Sequence, residues 1–206
     1  MTRPEIVIAT KNRGKLAEFR QIMHDLGLIG RVSLTSLADA ADYPDVEETG
    51  RTFEENALIK ARAAAAFTGL LSAADDSGIE VEALGGAPGV LSARFAGEGA
   101  TDAANNEKLL GLLANTPPER RAARFVAVIA LVAPDGREAI VRGECRGVIA
   151  EAPRGGGGFG YDPVFYYPPL GKTYAEMSDP EKNQISHRRR AIEALCQVLP
   201  EFMQDE

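Results

Sequence analysis

The chain has 206 residues, 45% of them hydrophobic, and 23 Lys and Arg against 30 Asp and Glu, a formal net charge of −7. That length suffices for one domain over residues 1–206, single or two-lobed, with a substantial core. The acidic balance excludes a nucleic-acid-binding surface, which needs clustered positive charge, but leaves room for a free nucleotide held by a few local cations.

There is no signal-peptide pattern and no apolar run long enough to span a bilayer, so no membrane association and a cytoplasmic location are expected. Cys145 and Cys196 stand in no metal-type spacing and read as reduced packing residues.

Ile6–Ala9 predicts a short buried strand. Leu16, Phe19, Ile22, Met23 and Leu26 then form a helical stripe, which Gly27 stops. Val32–Leu34 is a weaker strand, and Asp39–Gly50 an acidic loop. Thr52-Phe53-Glu54-Glu55 has capping-box spacing and opens a helix running to about Phe67. Its small face is Phe53, Ala57, Leu58, Ala61, Ala64 and Ala65, while Thr52, Asn56 and Lys60 share the other face at four-residue spacing.

Leu70–Ala74 reads as a strand ending at Asp75-Asp76-Ser77-Gly78, after which Ile79–Ala83 alternates apolar and acidic. Gly85–Gly89 is a rigid turn, and Thr101–Asn115 a helix with Leu109, Leu112 and Leu113 inward. Arg124–Ala133 and Glu138–Ile149 are two strands joined through Pro134-Asp135-Gly136, a hairpin signal. Gly155–Gly160 must be a loop. A last helix starts near Ser178-Asp179-Pro180-Glu181, another capping-box spacing with an early proline, and carries Ile185, Ile192, Leu195 and Leu199 on one stripe. Helices alternating with strands, followed by a hairpin, predict a mixed α/β fold.

Two adjacent carboxylates at a strand end repel one another unless a cation or hydrogen-bond donors compensate. Mg²⁺, which takes one or two carboxylates plus substrate phosphate oxygens, accounts for Asp75-Asp76 most simply; taken alone, the segment reads as a solvated turn. Thr10-Lys11-Asn12-Arg13-Gly14-Lys15 follows a strand and opens a helix, where free N–H groups and the dipole favour phosphate. It lacks the glycine and hydroxyl of a Walker A loop, and by itself reads as a basic, solvated helix start.

Glu47-Glu48 before the Thr52 helix, and Lys60 upon it, are taken singly a dipole partner and a surface lysine. Arg188 falls within the apolar arc of the last helix, where a guanidinium needs acceptors or must snorkel. Phe159, flanked by glycines, is free to stack on a planar base, and Asp162 can accept ring N–H donors; the same loop is also a simple anchored turn.

Taken together and in order, these segments resemble the inosine triphosphatase family, the non-canonical purine nucleoside triphosphate pyrophosphatases. The matching pieces are Ala9–Lys15, Glu48–Gly50 with Phe53–Ala57, Ala74–Gly78, Leu84–Gly89 through Ser92–Phe95, Gly158–Pro163 and Glu181–Arg188, spanning nearly the whole chain.

The resemblance implies an elongated mixed α/β sheet with flanking helices, in two lobes around a central cleft, and a homodimer. It implies Mg²⁺-dependent hydrolysis of ITP, dITP and XTP to the monophosphate and pyrophosphate. Glu48 and Asp76 would hold the metal, with Asp76 as general base and Lys15 as a further catalytic group. Thr10, Lys11, Asn12, Arg13, Gly14, Lys15 and Lys60 would bind the triphosphate, with Ser77 adding a hydroxyl and Arg94 a further contact. Phe159, Gly160, Tyr161, Asp162, Lys182, His187 and Arg188 would line the base pocket. Lys11 and Arg189 depart from the usual family pattern. Two alternatives stay open: a pyrophosphatase for other modified nucleotides, and a nucleotide-sensing module without turnover.

Overall fold

A computed structural model describes residues 5–28, 30, 32–38, 40 and 42–203. Asp39, in the predicted acidic loop, lies outside them. A mixed seven-stranded open sheet with flanking helices forms the α/β fold expected. The chain opens with β1 (Glu5–Ile8), α1 (Arg13–Asp25) and β2 (Ser33–Ser36), then α2 (Phe53–Thr68) and β3 (Leu71–Val81). There follow α3 (Asp102–Leu112), β4 (Ala122–Val132) and β5 (Glu138–Ile149). The last elements are β6 (Phe165–Tyr167), β7 (Lys172–Thr173), α4 (Asp179–Ile185) and α5 (His187–Val198).

The strand order is β2-β1-β3-β4-β5-β6-β7. β1 lies parallel to both β2 and β3, as helical crossovers through α1 and α2 demand. The β5–β6 and β6–β7 pairs are antiparallel.

The chain divides into two compact units: unit 1 comprises residues 1–76, 127–143 and 188–206, and unit 2 residues 77–126 and 144–187. Unit 1 buries Ile6, Ile8, Phe19, Ile22 and Met23 with Ile129, Ile192 and Leu195. Unit 2 buries Ile79, Val81, Leu109, Phe125, Val164, Phe165 and Tyr174, together with the free Cys145.

Local chemistry accounts for most boundaries. The Asn12 side chain accepts from the Lys15 amide and caps α1, and Gly27 follows with φ 68°. Thr52 caps α2 by accepting from the Glu55 amide, and Gly69, also at φ 68°, closes it in the left-handed region. The reciprocal half of the predicted capping box is displaced by one residue, because the Glu55 carboxylate accepts from the Arg51 amide.

Four expectations are corrected. Asp75-Asp76-Ser77-Gly78 is not a strand end: β3 runs unbroken through it. Gly78 fits there because Ser92 packs over it, its Cβ lying 2.9 Å from where a side chain at 78 would begin. The last helix is two, for Ser186 is extended (ψ 155°) between α4 and α5. Ile185 consequently packs with the unit 2 core, whereas Ile192, Leu195 and Leu199 pack in unit 1. Leu112, expected inward, is exposed at the end of α3. Asn56, expected to project beside Thr52 and Lys60, is fully buried.

Candidate active site

In unit 1, strand alternation sends the side chains of Asp75 and Asp76 to opposite faces of β3. Asp75 receives three cationic contacts. Lys15 Nζ lies 2.8 Å from its Oδ2, and Arg188 donates through Nε to Oδ1 and Nη2 to Oδ2, both at 3.3 Å. Arg188 also donates through Nη1 to Glu18, one helical turn beyond Lys15 on α1. The ammonium and guanidinium thus share a buried carboxylate. Burial alone would disfavour the Asp75 charge, but Arg188 and Lys15 outweigh it and hold its pKa far below the ordinary range. Arg188 is matched in kind: burial opposes its charge, and Asp75 and Glu18 reverse that and raise its pKa.

Asp76 belongs to a second arrangement. Lys60 Nζ donates to Asp76 Oδ1 (2.7 Å), Glu48 Oε1 (2.8 Å) and the Asp75 carbonyl (3.0 Å). Burial depresses the Lys60 pKa, but Asp76 and Glu48 prevail and raise it. For Asp76 the balance runs the other way: burial raises its pKa above the ordinary aspartate value despite Lys60 and Lys15, with Glu48 adding to the rise. A carboxylate so placed is more basic than a solvated one, the direction that proton abstraction favours.

Among the described residues, no three His, Cys, Asp and Glu side chains cluster as a metal cage. Glu48, Asp76 and the Asp75 carbonyl are nevertheless hard oxygen donors converging on one cation, the Lys60 ammonium. That donor chemistry fits Mg²⁺, which uses few protein carboxylates and completes its shell with water and phosphate.

The N-terminus of α1 carries Thr10, whose Oγ1 accepts from the Asn12 amide, and Lys11, which pairs with Asp45 at the surface. Arg13 and Gly14 form its first turn. Lys11 is thereby placed on an exposed carboxylate, while Lys15 is directed inward to Asp75.

In unit 2, Lys182 is buried and lies 2.6 Å from Asp162 Oδ2, its Nζ 4.7 Å from the centre of the Phe159 ring. Asp162 Oδ2 also accepts from the Phe159 amide at 3.0 Å, so one carboxylate oxygen orients both the lysine and the aromatic. Gly158 permits this; a side chain there would collide with the Asp162 carboxylate. His187 stacks on Phe125, centroids 4.7 Å apart. Gly160 donates its amide to Asp102 at 2.6 Å and accepts from Asn106 through its carbonyl at 2.9 Å. Arg94 sits beside Glu98, 3.7 Å away, and Ser77 is half-buried on β3.

The other two residues expected in the base pocket are both buried. Tyr161 is buried in the unit 2 core and donates its hydroxyl to the Ser92 carbonyl at 2.8 Å, where burial raises its pKa. Arg188 does not snorkel: it is 1% exposed and, in unit 1, donates to Asp75 and Glu18. Sequence reading passed over Asp75 as a charge anchor in its own right, and over Glu18. Only the spacing of Glu18 from Lys15 on one helix face hinted at the latter.

A model of the Ham1 family matches residues 6–198. The chain belongs to the Ham1 family. It is 54% identical over 199 residues to a dITP/XTP pyrophosphatase of Geobacillus kaustophilus, covering 97% of this chain and 96% of the relative. Identity to a protein of the same name from Symbiobacterium thermophilum is 51% over 205 residues, with both chains covered in full.

Solved Ham1 structures agree. The Staphylococcus aureus Ham1 protein superposes with a TM-score of 0.83 at 47% identity, covering 96% of this chain and 98% of that one. The Coxiella burnetii HAM1 protein gives 0.85 at 46%, with 96% and 99% covered. In this Ham1 chain, the segments that carried the sequence resemblance supply Lys15, Glu48, Asp75 and Asp76 to unit 1, and Phe159, Asp162 and Lys182 to unit 2; Lys60 lies just beyond the Phe53–Ala57 segment on α2.

Proposed function

We propose that this chain hydrolyses ITP, dITP and XTP to the nucleoside monophosphate and pyrophosphate, removing non-canonical purines from the nucleotide pool. One observation carries the reading: Asp76, with its raised pKa, shares the Lys60 ammonium with Glu48. That arrangement is a cation site beside a candidate base. The dITP/XTP pyrophosphatase relatives supply the substrate class.

Asp76 accepts a proton from the water that attacks the α-phosphorus. A new P–O bond forms, the bond from that phosphorus to the bridging oxygen breaks, and pyrophosphate departs with the electron pair. Glu48 and Asp76 would hold Mg²⁺, which when bound neutralises charge on phosphate oxygens. Lys15, Lys60 and the first turn of α1, with Thr10, Asn12, Arg13 and Gly14, bind the triphosphate and stabilise the charge that develops on it. Arg188 acts through Asp75, fixing the carboxylate that orients Lys15.

Phe159 stacks on the base. Asp162 and Lys182 together present an acceptor and a donor, complementary to the N1–H and 6-carbonyl of hypoxanthine and xanthine. Adenine presents the reverse pattern, and leaving a buried polar group unpaired costs about 1–3 kcal/mol. By the same resemblance the protein acts as a homodimer in the cytoplasm, which light scattering on the purified chain and cell fractionation would check.

The test is hydrolysis of ITP, XTP, GTP and ATP with and without Mg²⁺, identifying the phosphorus product. Pyrophosphate and IMP, with ITP and XTP well ahead, are expected. Orthophosphate as the product, or equal rates across bases, would overturn the assignment.

A further inference from the structure

Asn56 is fully buried in the first turn of α2, yet its amide is only half used. Its Oδ1 accepts from the Gly50 amide at 2.8 Å, which fixes the orientation of the group. Its Nδ2 is buried with no hydrogen-bond partner. A chain does not hold an unsatisfied donor inside a protein without a compensating need for the other end of the same side chain.

That need lies in the segment Glu48-Thr49-Gly50. Gly50 approaches α2 so closely that a Cβ on it would stand 2.5 Å from Asn56 Oδ1 and 2.9 Å from the Asn56 amide nitrogen. One turn along the same helix, Lys60 takes the Glu48 carboxylate. Two side chains of α2 therefore grip one short segment at two points, Asn56 by its backbone and Lys60 by its carboxylate. Aspartate at 56 would satisfy the Gly50 amide without an orphan donor. It would also set another buried negative charge one turn from Lys60, in competition with Glu48 and Asp76. Asparagine is the residue that accepts the hydrogen bond and carries no charge.

We infer that Asn56 is a positioning residue for Glu48, fixing where that carboxylate meets the metal. This rests on the reading of Glu48 and Asp76 as metal ligands. A group that orients a ligand typically changes metal affinity 10–100-fold when removed.

The test is calorimetric titration of Mn²⁺ alone, without nucleotide, into wild type, Glu48→Gln, Asn56→Ala and Gly50→Ala, with amide hydrogen exchange at residue 50 and thermal melts recorded alongside. Asn56→Ala should remain folded, lose protection of the Gly50 amide and bind Mn²⁺ at least about tenfold more weakly. Gly50→Ala, which attacks the same contact from the other side, should weaken Mn²⁺ to a similar degree. Binding that falls in Glu48→Gln but is unchanged in both of the other variants would overturn the positioning role and leave the metal site standing. Binding absent in wild type, or unchanged in Glu48→Gln, would overturn the metal site and this inference with it. If Asn56→Ala fails to fold, Gly50→Ala decides.

Discussion

Asp75 and Asp76 are adjacent in the chain and contact different cations: Asp75 meets Lys15 and Arg188, Asp76 meets Lys60. The pleat of β3 separates them, so their repulsion does not have to be cancelled by one shared ion. Each is shifted in the opposite direction, Asp75 down and Asp76 up. One strand thereby presents a carboxylate anchor held in its charged form by two cations and a second carboxylate that binds a proton more readily.

Asp76→Asn removes a proposed metal ligand and the candidate base while keeping the volume of the side chain. Turnover of ITP should fall by at least about 100-fold, the lower range for loss of a general base. Steady-state pyrophosphate release checks this, and near-normal hydrolysis would exclude Asp76 from the chemistry.

The pH profile follows from the same group. Asp76 must be deprotonated to act, and burial raises its pKa, so kcat/KM should fall on the acid side at a pH above the ordinary aspartate value of 3.8. Lys60 is the principal influence holding that pKa down. In Lys60→Gln the acid limb should move to higher pH, in addition to any loss of triphosphate binding. A limb that stays in place or moves to lower pH would contradict the assignment.

Arg188→Ala leaves the buried Asp75 charge with Lys15 alone. Removing one partner of a buried ion pair typically costs about 3–5 kcal/mol, measurable by urea unfolding at neutral pH. The folded-state pKa of Asp75 is depressed, so its contribution to stability is present above the unfolded value of 3.8 and is lost as pH falls through the folded value beneath it. The gap between wild type and variant should therefore narrow below about pH 4. The ratio of ITP to ATP turnover in the same variant reads base selection: an unchanged ratio would confine Arg188 to the cluster with Asp75 and Glu18, and a collapsed ratio would give it a role in the base pocket as well.

Lys182→Met keeps much of the side-chain bulk but strips the charge from Asp162 and from the face of Phe159. The KM for ITP should rise and the preference for ITP over ATP shrink by about 10-fold or more, the equivalent of one unpaired buried group. Parallel kinetics on the two nucleotides read this directly. Equal losses for both would remove the pair from base selection.

Much of this protein was legible in its sequence because the rules involved act within a few residues. Asn12, Thr52 and Ser178 cap helices by reaching amides three positions on, Gly69 ends α2, and the Pro134-Asp135-Gly136 turn joins β4 to β5. The family was legible for a different reason, since ordered short motifs survive as text whatever the fold does with them.

Tertiary structure decided the electrostatics. That Asp75 meets Arg188, 113 residues away, depends on β3 lying where α5 begins, and no periodicity encodes it. The break at Ser186 was hidden because Ile185 and Ile192 keep helical spacing in the sequence while packing into different cores. Likewise, a lysine at helical spacing from an asparagine reads as a solvated face. Only burial against Glu48, Gly50 and Asp76, where an unpaired charge or amide is costly, makes each contact specific.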